Sequence, residues 1–88
     1  LLPGRPNPFS IRTTLRFDLP RAGRVEVRVY DVTGRVVRSL AGGEFAAGSH
    51  SLEWDGRDDG GAALQTGLYF CRLEAGAARA TQRMVFVR

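Results

Sequence analysis

The stretch RVEVRVY, residues 24–30, alternates valines with the charged side chains of two arginines and one glutamate. A period of two is typical of a β-strand that buries one face and exposes the other. The next residues, Asp31-Val32-Thr33-Gly34, form a turn sequence, because Asp bonds forward to the backbone and Gly accepts a positive φ. A further apolar stretch at Arg35–Leu40 follows, so residues 24–40 predict a β-hairpin.

Four stretches outside the hairpin alternate in a similar way and are predicted strands: Thr13–Leu19, Ser49–Trp54, Gly67–Glu74 and Arg79–Val87. Core positions are expected at Leu52, Trp54, Tyr69, Cys71 and Leu73. Two apolar pairs compete for the core in the last strand, so its facing stays open: Met84 with Phe86, or Val85 with Val87. The Gly- and Ala-rich segment Ala41–Gly48 is predicted to be a loop or a weak edge segment.

Six to seven short strands, joined by hairpin-like turns and without sustained helical periodicity, predict an all-β fold. We expect an immunoglobulin-like antiparallel β-sandwich formed as one domain by residues 11–88. Tyr69 precedes Cys71 by two residues, as in the penultimate strand of immunoglobulin folds, although the partner cysteine is absent. Residues 1–10 contain three prolines and predict an extended junction, with Phe9 as its anchor to the core.

Composition argues against several classes of function. The 88 residues carry a net charge of +4, and the 13 cationic side chains, all arginine, are spread along the chain. Without a basic block or a long apolar run, we expect no nucleic-acid partner and no membrane insertion. The single cysteine cannot form an internal disulfide. Because the chain begins with Leu, we expect a fragment of a longer protein.

Residues with catalytic potential are few. The only histidine, His50, lies in a predicted strand and Cys71 lies in an apolar one, so we expect neither a catalytic site nor an enzyme. No cofactor motif is present, and we expect no cofactor. A Gly-rich loop holds Asp55, Asp58 and Asp59, which is a composition that Ca²⁺ prefers. Their spacing does not match an EF-hand, and the alternative is that these carboxylates cap turns.

Five motifs follow one another in a fixed order. They are Pro6-Asn7-Pro8-Phe9 with Thr13-Thr14-Leu15, the segment Val29–Val37, Gly48-Ser49-His50 with the block Trp54–Gly61, the strand Gly67–Leu73, and the ending Met84–Arg88. Together they resemble the type A C-terminal sorting domains of the bacterial type IX secretion system. They are also similar to domains grouped with the immunoglobulin-like domain of the flagellar hook-capping protein. The resemblance covers residues 3–88, with departures at Ser10-Ile11-Arg12 and at Cys71.

The resemblance implies a non-catalytic domain at the C-terminus of a larger secreted protein, with a covalently linked N-terminal cargo domain. Such domains are recognised by the outer-membrane translocation machinery and by a sortase-like activity that attaches the cargo to the cell surface. It also implies a secreted or cell-surface location on a Gram-negative bacterium, reached through the periplasm. A signal that is read after folding needs an exposed element, and we expect the last strand to supply it. The recognition candidates are Arg83, Met84, Val85, Phe86, Val87 and Arg88.

Two other interpretations stay open. One is a structural immunoglobulin-like scaffold or spacer, as the hook-cap grouping implies. The other is an accessory module that binds carbohydrate or protein, which a row of exposed aromatic side chains would favour. We expect Tyr30, Trp54 and Tyr69 to be core or turn residues, which argues against a carbohydrate surface.

Overall fold

Every regular element within the described residues, 1–2 and 12–87, is a β-strand in the computed structural model of the chain. The strands are β1 (Thr13–Leu19), β2 (Gly23–Tyr30), β3 (Val36–Phe45), β4 (Gly48–Trp54), β5 (Gly67–Ala75) and β6 (Ala78–Phe86). The predicted all-β class is therefore confirmed. Over the same residues, no helix has the length and apolar character needed to span a membrane.

The strands form two antiparallel sheets. One sheet contains β1 and β4, and the other contains four strands in the order β3-β2-β5-β6. The chain crosses from one sheet to the other after β1, after β3 and after β4, as the strand order requires. Two antiparallel sheets packed over one core confirm the predicted immunoglobulin-like sandwich, here with six strands.

The predicted hairpin consists of β2 and β3, and β3 continues beyond Leu40 to Phe45. Its register runs from Val36 opposite Tyr30 to Phe45 opposite Gly23, with two irregularities near the turn. Gly and Ala are weak strand formers, but the strongly patterned β2 gives them a partner for ladder hydrogen bonds. Of the two alternatives predicted for the Gly- and Ala-rich segment, the edge strand is thus confirmed.

Buried hydrophobic side chains from all six strands fill the space between the sheets. They are Leu15, Phe17, Leu19, Val25, Val27, Val29, Val37, Trp54, Tyr69, Cys71, Leu73, Met84 and Phe86. Four of the five predicted core positions are buried, and the fifth, Leu52, packs against the core while half-buried. The periodicity of the strands therefore predicted most of the core.

The start of the chain lies along β1. The backbone N–H of Leu2 donates to the carbonyl of Arg16 at 2.8 Å, and Leu1 packs partly against the core. The rest of the predicted junction over residues 1–10, including its anchor Phe9, lies outside the described residues.

Candidate recognition surface

The last strand divides the predicted recognition residues between two faces. Met84 and Phe86 point into the core and are 0% and 4% exposed, which decides the facing that the sequence left open. On the opposite face Arg83 is exposed and Val85 is half-buried, and Val87, just after the strand, is 43% exposed. A partner that meets the folded domain can therefore contact the outward side chains of β6 but not the two buried ones.

The outward side chains of β6 adjoin apolar side chains of β5. Arg83 lies opposite Phe70, and Val85 lies opposite Leu68. Both β5 residues are half-buried, on the face that points away from the core. Arg88, the last predicted recognition residue, lies outside the described residues. The surface that β6 presents thus continues onto its neighbour.

Tyr30 extends this surface to β2. The expectation that Tyr30 is a core or turn residue is wrong. It is half-buried on the outer face of the four-stranded sheet, opposite Phe70, because its neighbour Val29 takes the core-facing position. The guanidinium of Arg72 lies over its ring, 5.3 Å from the centroid, in a cation–π contact. The signal was present in the sequence, since Tyr30 is in phase with the charged residues of the opening stretch rather than with its valines.

Carboxylates hold the Asp-rich loop between β4 and β5 in shape. The Asp58 Oδ1 atom accepts hydrogen bonds from the backbone N–H groups of Gly60 at 3.0 Å and Ala62 at 2.9 Å. The Asp55 Oδ1 atom accepts one from the N–H of Arg57 at 3.2 Å. These are Asx-type turns, in which a side-chain oxygen replaces a backbone carbonyl. The geometry therefore supports the turn-capping alternative for these two residues.

Asp59 fastens the same loop to β3. Its N–H donates to the carbonyl of Val37 at 3.0 Å, and its Oδ1 accepts from the N–H of Ser39 at 2.9 Å. Arg38 reaches back from β3, with Nη1 3.2 Å from Asp55 Oδ1 and Nε 3.9 Å from Asp59 Oδ1. The loop thus occupies backbone groups at the edge of the sheet that another strand could otherwise pair with.

The predicted calcium candidates Asp55, Asp58 and Asp59 do not form a common ligand set. Within residues 1–2 and 12–87, no three His, Cys, Asp or Glu side chains are placed to hold one metal ion. Each candidate instead accepts hydrogen bonds from N–H groups, and the Arg38 guanidinium approaches two of them. A cation at this point would have to compete with that positive charge.

The start of the loop packs against the end of β6. Trp54 is fully buried, with its ring centroid 5.3 Å from that of Tyr69 and 6.4 Å from that of Phe86. Its Nε1–H donates to the carbonyl of Arg57 at 3.0 Å. Gly56 has a φ of +73°, and a Cβ there would lie 2.7 Å from the Phe86 ring. The position therefore requires glycine both for its backbone conformation and for its space.

Two titratable side chains of β5 have structural roles. The Tyr69 hydroxyl donates to the carbonyl of Gln65 at 2.7 Å, which is the tyrosine-corner geometry of immunoglobulin folds. Burial raises the pKa of Tyr69, and the charge of Asp31 raises it further. Burial also raises the pKa of Cys71 to about 12, so its reactive thiolate form is suppressed. Cys71 is the buried small side chain that the sequence predicted.

His50 connects three strands near the β3–β4 turn. Its ring stacks on Phe17 of β1 at 5.2 Å and meets the edge of Phe45 of β3 at 5.1 Å. Its Nε2–H donates to the carbonyl of Ala46 at 2.7 Å. With aromatic packing and a turn hydrogen bond, His50 has the structural role expected from its position in a strand.

Residues 9–79 match the family of FlgD Ig-like domains. The basal-body rod modification protein FlgD of Salmonella typhimurium is 42% identical over 54 residues, which are 61% of this chain and 23% of that protein. The protein of the same name from Salmonella typhi matches to the same extent. The chain therefore spans about a quarter of the length of the curated relatives that it matches.

Solved structures contain the same fold. Dimeric latent PorU from Porphyromonas gingivalis has a TM-score of 0.70 and 25% identity, covering 96% of this chain and 9% of PorU. FlgD from P. aeruginosa has a TM-score of 0.61 and 28% identity, covering 86% and 63%. PorZ, a surface component of the type IX secretion system of P. gingivalis, shares the fold with a TM-score of 0.62 and 18% identity, covering 97% and 11%.

Proposed function

The chain belongs to the family of FlgD Ig-like domains, and from that premise we propose that it is a non-catalytic sorting and anchoring domain of a larger secreted protein. In this role it directs an N-terminally linked cargo along the type IX route to the surface of a Gram-negative bacterium. Its partners are the outer-membrane translocation machinery and a sortase-like enzyme. The domain acts as a folded signal and uses no cofactor.

The observation that carries the proposal is the extent of the similarity at β6. The FlgD family match ends at residue 79, near the start of this strand. The motifs that resemble type IX sorting domains continue to residue 88, and the structural similarity to PorU covers 96% of the chain. The resemblance of the sequence motifs to sorting domains thus extends over the strand proposed as the recognition element, and this extent supports the proposal.

The packing of β6 suits such a role. Met84 and Phe86 anchor the strand in the core, so Arg83 and Val85 are held at fixed positions on the outer face. The backbone that presents these two side chains is already ordered, which reduces the entropy lost on binding. Recognition by outward side chains of β6 is consistent with a signal that is read after folding.

A scaffold domain within an assembly is the second candidate. It is favoured by the 42% identity to FlgD, the basal-body rod modification protein, over 54 residues. The two candidates differ in one requirement. A sorting domain works through the translocation machinery, whereas a scaffold domain supports its assembly regardless of the route of export.

A reporter experiment tests the sorting role. A reporter with an upstream signal peptide and this domain at its C-terminus is expressed in a host with type IX secretion, and its location is measured with and without the translocon. We expect delivery to the surface or medium only when both the domain and the translocon are present. Retention of a folded reporter in the periplasm of normal cells would contradict the sorting role and favour the scaffold.

The contribution of β6 to recognition is tested by substitutions rather than by truncation. Removing the strand would also remove Met84 and Phe86 from the core and unfold the domain. Arg83→Glu combined with Val85→Thr changes only outward side chains, and Arg16→Glu makes the same charge change at an exposed position of β1. We expect the first variant to lower delivery by about tenfold or more and the second to preserve it. Equal delivery of both would place recognition elsewhere.

A further inference from the structure

Apolar side chains from three neighbouring strands meet on the outer face of the four-stranded sheet, at the end where β2 turns into β3. Val36, Tyr30 and Phe70 lie side by side in the register of β3, β2 and β5. Leu68 follows two residues away from Phe70 on the same face. Val36 is 42% exposed and the other three are half-buried. We call these four residues the outer patch: Tyr30, Val36, Leu68 and Phe70.

A hollow of about 380 Å³ opens beside the outer patch. It is lined by Tyr30, Asp31, Val32, Gly34, Phe70, Arg72 and Thr81. Its volume is sufficient for an apolar side chain of a partner to enter. The acidic residue of the lining, Asp31, is already occupied, because its Oδ1 accepts hydrogen bonds from Thr33 and from the N–H of Arg35. The hollow therefore has mixed walls, in which the rings of Tyr30 and Phe70 lie beside the Arg72 guanidinium.

Positive charge borders the outer patch. Arg28 lies directly opposite Arg72, and like charges in this arrangement are unfavourable in a sheet. Arg28 shares the carboxylate of Glu26 with Arg24, at 3.2 Å and 2.8 Å. Within the described part of the chain, Arg72 has no ion pair and instead covers the ring of Tyr30. The positive charge of Arg72 is unfavourable opposite Arg28 and has no ion-paired carboxylate among the described residues. An acidic group on a partner would therefore complement it.

We propose that the outer patch is a docking surface for a partner protein whose docking segment presents aliphatic side chains beside Asp or Glu. Tyr and Arg around an apolar centre are typical of the energetically important residues of protein interfaces. Arg72 covers one side of the Tyr30 ring, which makes this ring a poor stacking platform for a base or a sugar. A second copy of the chain would bring the same arginines against each other. The inference holds whether the domain sorts cargo or serves as a scaffold.

The test uses the 88-residue chain and a synthetic peptide of alternating Glu and Leu. Backbone amide shifts are followed by NMR during titration, at low and at high salt. We expect the peptide to shift the amides of Tyr30, Phe70 and Arg72 and to bind more weakly at high salt. A peptide of equal charge with Ser in place of Leu is expected to bind at least about tenfold more weakly, because it cannot fill the hollow.

Substitutions test whether the peptide binds at the outer patch. Arg72→Glu and Phe70→Thr are each expected to weaken binding of the Glu–Leu peptide about tenfold or more, while Arg16→Glu leaves it unchanged. Circular dichroism melting establishes that each variant is folded. Three results would overturn the proposal: no shifts at the outer patch, equal binding of the Ser peptide, or equal binding of single-stranded DNA or a sulfated polysaccharide at the same amides. The secretion of a reporter plays no part in this test, so it fails or succeeds independently of the sorting role.

Discussion

Gly56 holds the Asp-rich loop against Phe86, and its replacement by alanine is expected to be costly. A left-handed φ of +73° costs about 1 kcal/mol for an alanine, and the new Cβ would lie 2.7 Å from the Phe86 ring. Such overpacking adds about 1–3 kcal/mol. Gly61 is the matched control in the same loop, since its φ is +87° but its Cβ would meet open space. Urea unfolding should show a loss of about 2–4 kcal/mol for Gly56→Ala and about 1 kcal/mol for Gly61→Ala. Equal losses would mean that the Phe86 ring moves aside without cost.

Thr13 carries a polar atom in an apolar place. It is fully buried, and its Oγ1 has no hydrogen-bond partner within residues 1–2 and 12–87. Replacing a buried, unpaired hydroxyl by a methyl group of the same shape is neutral or stabilising, here by about 1 kcal/mol. We therefore expect Thr13→Val to preserve or raise the melting temperature. The control Thr14→Val, at a half-buried position on the opposite face, should change stability by less than about 0.5 kcal/mol. A clear loss with Thr13→Val alone would contradict the argument.

The Cys71 thiol is expected to be protected in the native state and reactive only after unfolding. Burial raises its pKa from an ordinary 9.0 to about 12, so at pH 8 the thiolate is about a ten-thousandth of the population. As pH rises, the Cys71 thiol of the unfolded chain is deprotonated before that of the folded domain, because its pKa is lower. The contribution of the neutral thiol to stability is therefore complete below pH 9 and is lost between pH 9 and about 12. Mass spectrometry after iodoacetamide treatment should find little alkylation in native buffer and complete alkylation in urea. Rapid labelling of the native protein would contradict the burial of Cys71.

At the scale of the elements, Asp59 is expected to protect the edge of β3. Its carboxylate accepts the Ser39 N–H, so Asp59→Ala should expose this amide and raise its hydrogen-exchange rate. The loss of global stability should stay near 1 kcal/mol, because the side chain is exposed. Glu44→Ala, an exposed change near the far end of β3, serves as the control and should leave Ser39 exchange unchanged. Unchanged Ser39 exchange in Asp59→Ala would mean that the loop does not protect this edge.

The strands themselves could be predicted wherever one face is buried and the other is charged. β1 and β2 follow such alternation and were predicted within one residue at each end. The extension of β3 to Phe45 carries no such signal, because Gly42 and Gly43 have no side chains to show a facing. Its strand conformation depends on pairing with β2, which is a tertiary effect. The facing of β6 stayed open for a related reason, since both of its faces are apolar at the end.

For the whole molecule, the sequence predicted the sandwich but not the path of the long loop across it. Asp59 meets Ser39 twenty residues away along the chain, and no local pattern predicts that contact. The same limit applies to the Asp-rich loop, because its composition suits both calcium binding and turn capping. Arg38, whose guanidinium approaches Asp55 and Asp59 in the folded structure, lies in another strand. Contacts between the loop and β3 thus fix the path of the loop, which local spacing could not predict.

Because the loop carboxylates already have partners within the domain, we predict that calcium does not stabilise it. The Arg38 guanidinium already lies 3.2 Å from Asp55 and 3.9 Å from Asp59, and the Asp58 carboxylate caps two N–H groups. Saturating a calcium site at about 100 times its Kd would add about 2.7 kcal/mol, which in a domain of this size raises the melting temperature by many degrees. We expect melting temperatures in calcium and in EDTA to agree within about 1 °C. A calcium response in the wild-type chain would contradict this prediction. A response that appears only in Arg38→Ala would instead show that this side chain occupies the place of the cation.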